Sequence, residues 1–184
     1  MQNFQLPPID NDKQFEHLIA DLLNEHYHTL SFKLFGKTGH QQKGIDIYSA
    51  QKQMVVQCKH KDLSRNAVMI KKETLESIEQ TLLELINNPT DIPFATLLIA
   101  TTASEHPDYD EYAAALRDSL KLPFDILFWG WETIQQRLSH LHHFQKCTTK
   151  NWMVRLKAFP YFWTTLQNWN SFFFSQEKNA LKKR

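Results

Sequence analysis

Three observations predict an α/β protein whose mixed sheet carries helices on both faces. Short β-branched apolar runs stand close together early in the chain, at residues 30–35, 45–48 and 54–58. From residue 66 onward, stripes of helical spacing alternate with continuous apolar runs. The resulting order is α-β-β-β-α-β-α-β-α. Consecutive strands call for antiparallel hairpins, and strands separated by helices call for parallel crossovers, so one sheet must hold both.

Residues 1–9 are a polar lead with Pro7-Pro8, which favours extended backbone. Asp10 or Asp12 can cap a helix running to about residue 26. Phe15, Leu18, Ile19, Leu22 and Leu23 form its apolar stripe. Glu16 lies beside that stripe. By pattern alone it reads as an exposed helix charge, although a carboxylate there can also point along the sheet toward Asp46. The loop at 36–43 has two glycines and basic Lys37, His40 and Lys43. It suits a solvated connection or a track along a phosphate backbone.

The strands at 45–48 and 54–58 are joined by a polar turn. A two-residue loop at Gln51-Lys52 pairs Ala50 with Gln53 and sets Asp46 opposite Gln57. Side chains alternate along a strand, so Asp46, Gln57 and Lys59 share one face. Ile45, Ile47, Val56 and Cys58 then share the other, the expected core face. A helix over 66–87, capped by Ser64, buries Val68, Leu75, Ile78, Leu82, Leu85 and Ile86, and Asn87-Asn88-Pro89 ends it. Residues 94–100 read as a central strand followed by Thr101 and Thr102. His106-Pro107 starts a helix to 120, with Tyr112, Ala115, Leu116 and Leu120 inward. A buried strand at 124–129 and a helix at 131–141 follow.

The chain has 184 residues, 42% hydrophobic and 22% charged, the balance of a globular domain with an appendage. Two cysteines, Cys58 and Cys147, make no disulfide framework, so a cytoplasmic location is expected. No leader peptide and no membrane span are expected. Net charge is +1, but it is uneven: residues 150–184 hold seven Lys or Arg against Glu177. Nine large aromatics crowd into 148–184, among them Trp152, Trp163, Trp169 and Phe172. Composition therefore divides the chain into a domain at 1–147 and a basic, aromatic segment at 148–184, suited to contact with a partner or a second copy. His140, His142, His143 and Cys147 raise a zinc site, but no second Cys pair accompanies them. There is no P-loop and no Gly-x-Ser-x-Gly.

The residues with the most chemistry lie in GHQQKGIDI and VVQCKH, where Gly44-x-Asp46 precedes Gln57-x-Lys59. This pattern resembles the PD-(D/E)xK nuclease superfamily in its variant with Gln before x-Lys. More narrowly, it is similar to Mrr-like restriction endonuclease domains of bacterial anti-phage defence proteins, over residues 15–138. The resemblance implies an αβββαβ restriction-endonuclease-like core and Mg²⁺-dependent cleavage of double-stranded DNA, with Mn²⁺ able to substitute. It implies Glu16, Asp46, Gln57 and Lys59 as catalytic residues. Glu16, Asp46, Gln57 and the Cys58 backbone carbonyl would be metal ligands. Gln57 stands where many relatives have an acid, and a neutral amide is a poorer Mg²⁺ ligand, which puts more weight on Glu16. Lys37, Gln41, Lys43, His60 and Lys61 are candidate DNA contacts. A homodimer and a sensor or ATPase partner are further expectations. A non-catalytic nucleic-acid-binding or assembly module and an RNA-directed nuclease stay open as alternatives.

Overall fold

The computed structural model describes residues 8–9, 11–36 and 44–148, with side chains through His140. Nine elements follow the predicted order: α1 (Asp12–His26), β1 (Lys33–Leu34), β2 (Ile47–Ser49), β3 (Met54–Lys59), α2 (Ala67–Asn87), β4 (Thr96–Thr101), α3 (Pro107–Leu120), β5 (Asp125–Trp129) and α4 (Trp131–Thr148). The five strands lie side by side in sequence order. β1, β2 and β3 pair antiparallel, and β3, β4 and β5 pair parallel. The chain clusters into two compact units, Met1–Leu141 and His142–Arg184. All of the expected appendage at 148–184 after its first residue, its aromatic residues and the side chains of His142, His143 and Cys147 lie outside the described residues.

The hairpin register matches the expectation. Ile47 pairs Val56 and Ser49 pairs Met54, so the same register runs on to Asp46 opposite Gln57. The turn is tight, with Gln53 N–H donating to the Ala50 carbonyl and Gln53 at φ 48°. The predicted division of faces holds for Asp46 with Gln57 and for Ile47 with Val56, but fails at Ile45. Ile45 packs with Val55, Leu97 and Ile99 against Ile78, Leu82 and Leu85 of α2 and Tyr109 and Ala113 of α3. Helices cover this face too, so Gln57 is buried rather than displayed on an open polar face. Two successive parallel crossovers carry α2 and α3 to the same side of the sheet. Alternation leaves Val56 and Leu98, both fully buried, on the opposite face, where α1 packs along β3 and β1. The Phe15 and Trp131 rings, 6.5 Å apart, bring the start of α4 against α1.

Helix ends and faces differ in detail from the sequence reading. Asn11 caps α1 by accepting from Gln14 N–H, in place of Asp10 or Asp12, and Asn66 rather than Ser64 caps α2. The buried side of α2 is Thr74, Ile78, Thr81, Leu82 and Leu85, while Val68 and Ile86 are exposed. The threonines fit there because each hydroxyl donates to the carbonyl four residues back, Ile70 and Ser77. In α3 the buried residues are Tyr109 and Ala113; Ala115 and Leu120 face outward. β5 is an edge strand with Leu127 exposed, not a buried one. No helix among the described residues is long and apolar enough to cross a membrane.

Candidate active site

Where α1 passes the C-terminal half of β3, a cleft of about 330 Å³ is lined by Lys13, Glu16, Asp46, Gln57, Cys58 and Lys59, with Asp12, Phe15 and His60 at its sides. All four proposed catalytic side chains therefore meet in one place. Each is set by a local feature. Glu16 follows Phe15, whose full burial fixes the rotation of α1 and turns the next residue into the cleft. Gly44, at φ +72°, turns the chain into β2, a backbone conformation suited to glycine. A Cβ there would lie 3.1 Å from Glu84 Oε2. Main-chain bonds then pin Asp46, with Phe35 N–H donating to its carbonyl and its own N–H donating to Val56. Lys59 is held by its carbonyl, which accepts from Thr101 Oγ1 at 2.8 Å and from Thr102 N–H at 3.3 Å. The two threonines at the end of β4 thus support the site.

Asp46 is the centre of the geometry. Its Oδ2 accepts from Gln57 Nε2 and from Cys58 N–H, both at 2.7 Å. It is only 5% exposed. Burial pushes its carboxyl up to about 6, the Cys58 N–H pulls it down, and Glu16 nearby pushes it up further; Lys59 and Lys13 do not fully compensate. Glu16 is 7% exposed, so the exposed-charge reading of it is wrong. Burial also pushes the Cys58 thiol far up, which makes it an inert neutral lining group.

Lys13 is a further cleft residue, one that the Asp46–Gln57–Lys59 motif does not contain. Its Nζ donates to both Glu16 oxygens, at 2.8 and 2.9 Å. The only sequence signal is the i, i+3 spacing, which is common on helix surfaces. Of the candidate DNA contacts, His60 borders the cleft and its Nδ1 lies 3.1 Å from Asp12 Oδ1. Lys61 is turned away. Its Nζ donates to the Glu73 carbonyl at 3.0 Å and to Ser77 Oγ, which ties the end of β3 to α2 and removes the ammonium from the cleft. Lys37, Gln41 and Lys43 lie outside the described residues.

Whether these groups suit a divalent cation can be judged from Gln57. Its Oε1 is buried and has no hydrogen-bond partner, while its nitrogen faces Asp46. In this orientation Gln57 supports Asp46 and does not present an oxygen beside it. Exchanging the two ends of the amide would place Oε1 against Asp46 Oδ2. Two acceptors at that distance need a cation or proton between them. Two buried carboxylates, one with a raised proton affinity, also match a site built for a positive charge. The donor set fits a hard cation such as Mg²⁺, which takes one or two carboxylates and keeps its waters. Among the described residues no group of three His, Cys, Asp or Glu converges, so the main chain and water would complete the shell. Compared with protein-family models, with curated proteins and with solved structures, the chain has no match.

Proposed function

We propose that this chain is a divalent-metal-dependent endonuclease that hydrolyses phosphodiester bonds of double-stranded DNA. One observation carries the reading: Glu16 and Asp46, from elements far apart in sequence, are both buried in one cleft with Lys59 beside them. Glu16 and Asp46 would hold Mg²⁺ or Mn²⁺, with the Cys58 carbonyl and a turned Gln57 as further oxygens. A bound cation supplies Lewis acidity and an acidified water. Lys59 lines the same cleft and interacts with the Asp46 charge, and its ammonium would orient the attacking water and offset charge on the phosphate. Gln57 and Cys58 N–H hold Asp46 in place.

The resemblance to Mrr-like domains suggests a cytoplasmic effector of bacterial phage defence, working with a sensor or ATPase partner. Double-strand cleavage needs two active sites or two successive cuts, and residues 148–184 are the proposed homodimer contact. The test is supercoiled plasmid with Mg²⁺, beside Asp46→Asn and Lys59→Met proteins. Asparagine is the better replacement because alanine would strand the buried Cys58 N–H. Wild-type protein should nick and linearise the plasmid, and both variants should leave it intact. Undiminished cutting in EDTA would overturn the mechanism. Binding without cleavage would leave a nucleic-acid-binding module, and preferential cutting of an RNA substrate would leave an RNA-directed nuclease.

A further inference from the structure

We infer that Lys13 is a tethered counter-ion of the cation site, a positioning residue that holds Glu16 in the cleft and must yield when a divalent metal binds. The inference rests on the metal-site reading above. The pair is lopsided: the Lys13 side chain is 63% exposed, whereas that of Glu16 is 10% exposed. The carboxylate is thus fixed and the ammonium reaches it from solvent. Both Glu16 oxygens are occupied by Lys13 Nζ, and the same ammonium is attracted by Asp46 and Asp12. A single positive charge therefore interacts with the two carboxylates that the metal would use. A cation on a Glu16 oxygen would stand beside that ammonium, and the two positive charges would repel each other at short range. Displacement of the ammonium is feasible because Lys13 has a flexible stem and a side chain that is mostly in solvent, so water can take over its hydrogen bonds.

Isothermal titration of Mn²⁺ into the full chain tests this, with no DNA and no turnover. Lys13→Met should tighten Mn²⁺ binding by about fivefold to tenfold, the scale of a half-buried ion pair released from competition. Lys13→Arg keeps the charge and should bind as wild type does. Asp46→Asn should abolish the binding in either background. Melting in EDTA confirms that each protein is folded, which the exposure of Lys13 leads us to expect. Equal or weaker binding by Lys13→Met, or equal tightening by Lys13→Arg, overturns the counter-ion role and leaves the nuclease reading standing. Binding that survives Asp46→Asn puts the cation elsewhere and overturns it too. No Mn²⁺ binding by any of the folded proteins overturns both.

Discussion

At the scale of single residues, Asp46 sets function against stability. Its folded-state carboxyl titrates near 6, above the ordinary 3.8. A raised carboxyl adds stability that is fully present below pH 3.8 and is lost as pH rises through 6. At neutral pH the ionised group therefore costs roughly 3 kcal/mol relative to its protonated form. Asp46→Asn should raise the urea midpoint at pH 7.5, and the gain should vanish by about pH 4; a gain independent of pH would mean the raised carboxyl is not its source. The substitution keeps an acceptor for Cys58 N–H, so the comparison isolates charge. Mg²⁺ should raise the melting temperature of wild type and leave that of Asp46→Asn unchanged. Gln57 gives a companion test. Gln57→Glu sets a second carboxylate against Asp46 and should lower metal-free stability while preserving Mg²⁺-dependent cleavage. Gln57→Leu removes the donor to Asp46 and should cost most of the activity. Equal activity in the two proteins would put Gln57 outside the metal site.

At the scale of elements, the turn into β2 and the start of α2 are the parts most exposed to test. Gly44→Ala forces a side chain into positive φ and close to Glu84, a strain of about 1 to 3 kcal/mol. It should lower the unfolding midpoint, and adding Glu84→Ala should restore only the part due to contact. Full restoration would show that φ is not strained. Lys61→Met should destabilise by about 1 kcal/mol through its lost bonds to α2, with little change in DNA affinity. A large loss of DNA binding in a folded protein would return Lys61 to the contact surface. Element order and hairpin register were legible in the sequence because a two-residue loop leaves one pairing between Ser49 and Met54. The face of α2 was not, because hydropathy ranks Val68 and Ile86 above Thr74 and Thr81. Local hydroxyl bonds let the threonines go inside. The division of faces near Ile45 failed for a related reason: alternation holds within a regular strand, and β2 begins only at Ile47. Glu16 shows the same limit at the site. Its pattern is that of a surface charge, and only the packing of Phe15 beside it makes it a buried acid.

At the scale of the whole molecule, the open matter is what residues 148–184 do. Met1–Leu141 forms a compact unit around the buried apolar core described above. A unit that is compact by itself can keep its fold without the segment that follows it. Seven cations and nine aromatics with one carboxylate are what the proposed contact surface calls for, since aromatic and Arg side chains anchor many interfaces. Charge alone would favour DNA, but that many aromatics together favour protein, and a second copy of this chain would bring a second cleft to the other strand. A chain ending at Lys150 should therefore stay folded, with an unchanged melting profile for the core. Light scattering at micromolar concentration should show its mass falling from dimer to monomer. On supercoiled plasmid it should nick more than it linearises, because each protomer then cuts one strand at a time. If the shortened chain unfolds, the segment belongs to the core. If the intact chain is already monomeric at that concentration, the dimer proposal fails, and successive single-strand cuts become the route to linear DNA.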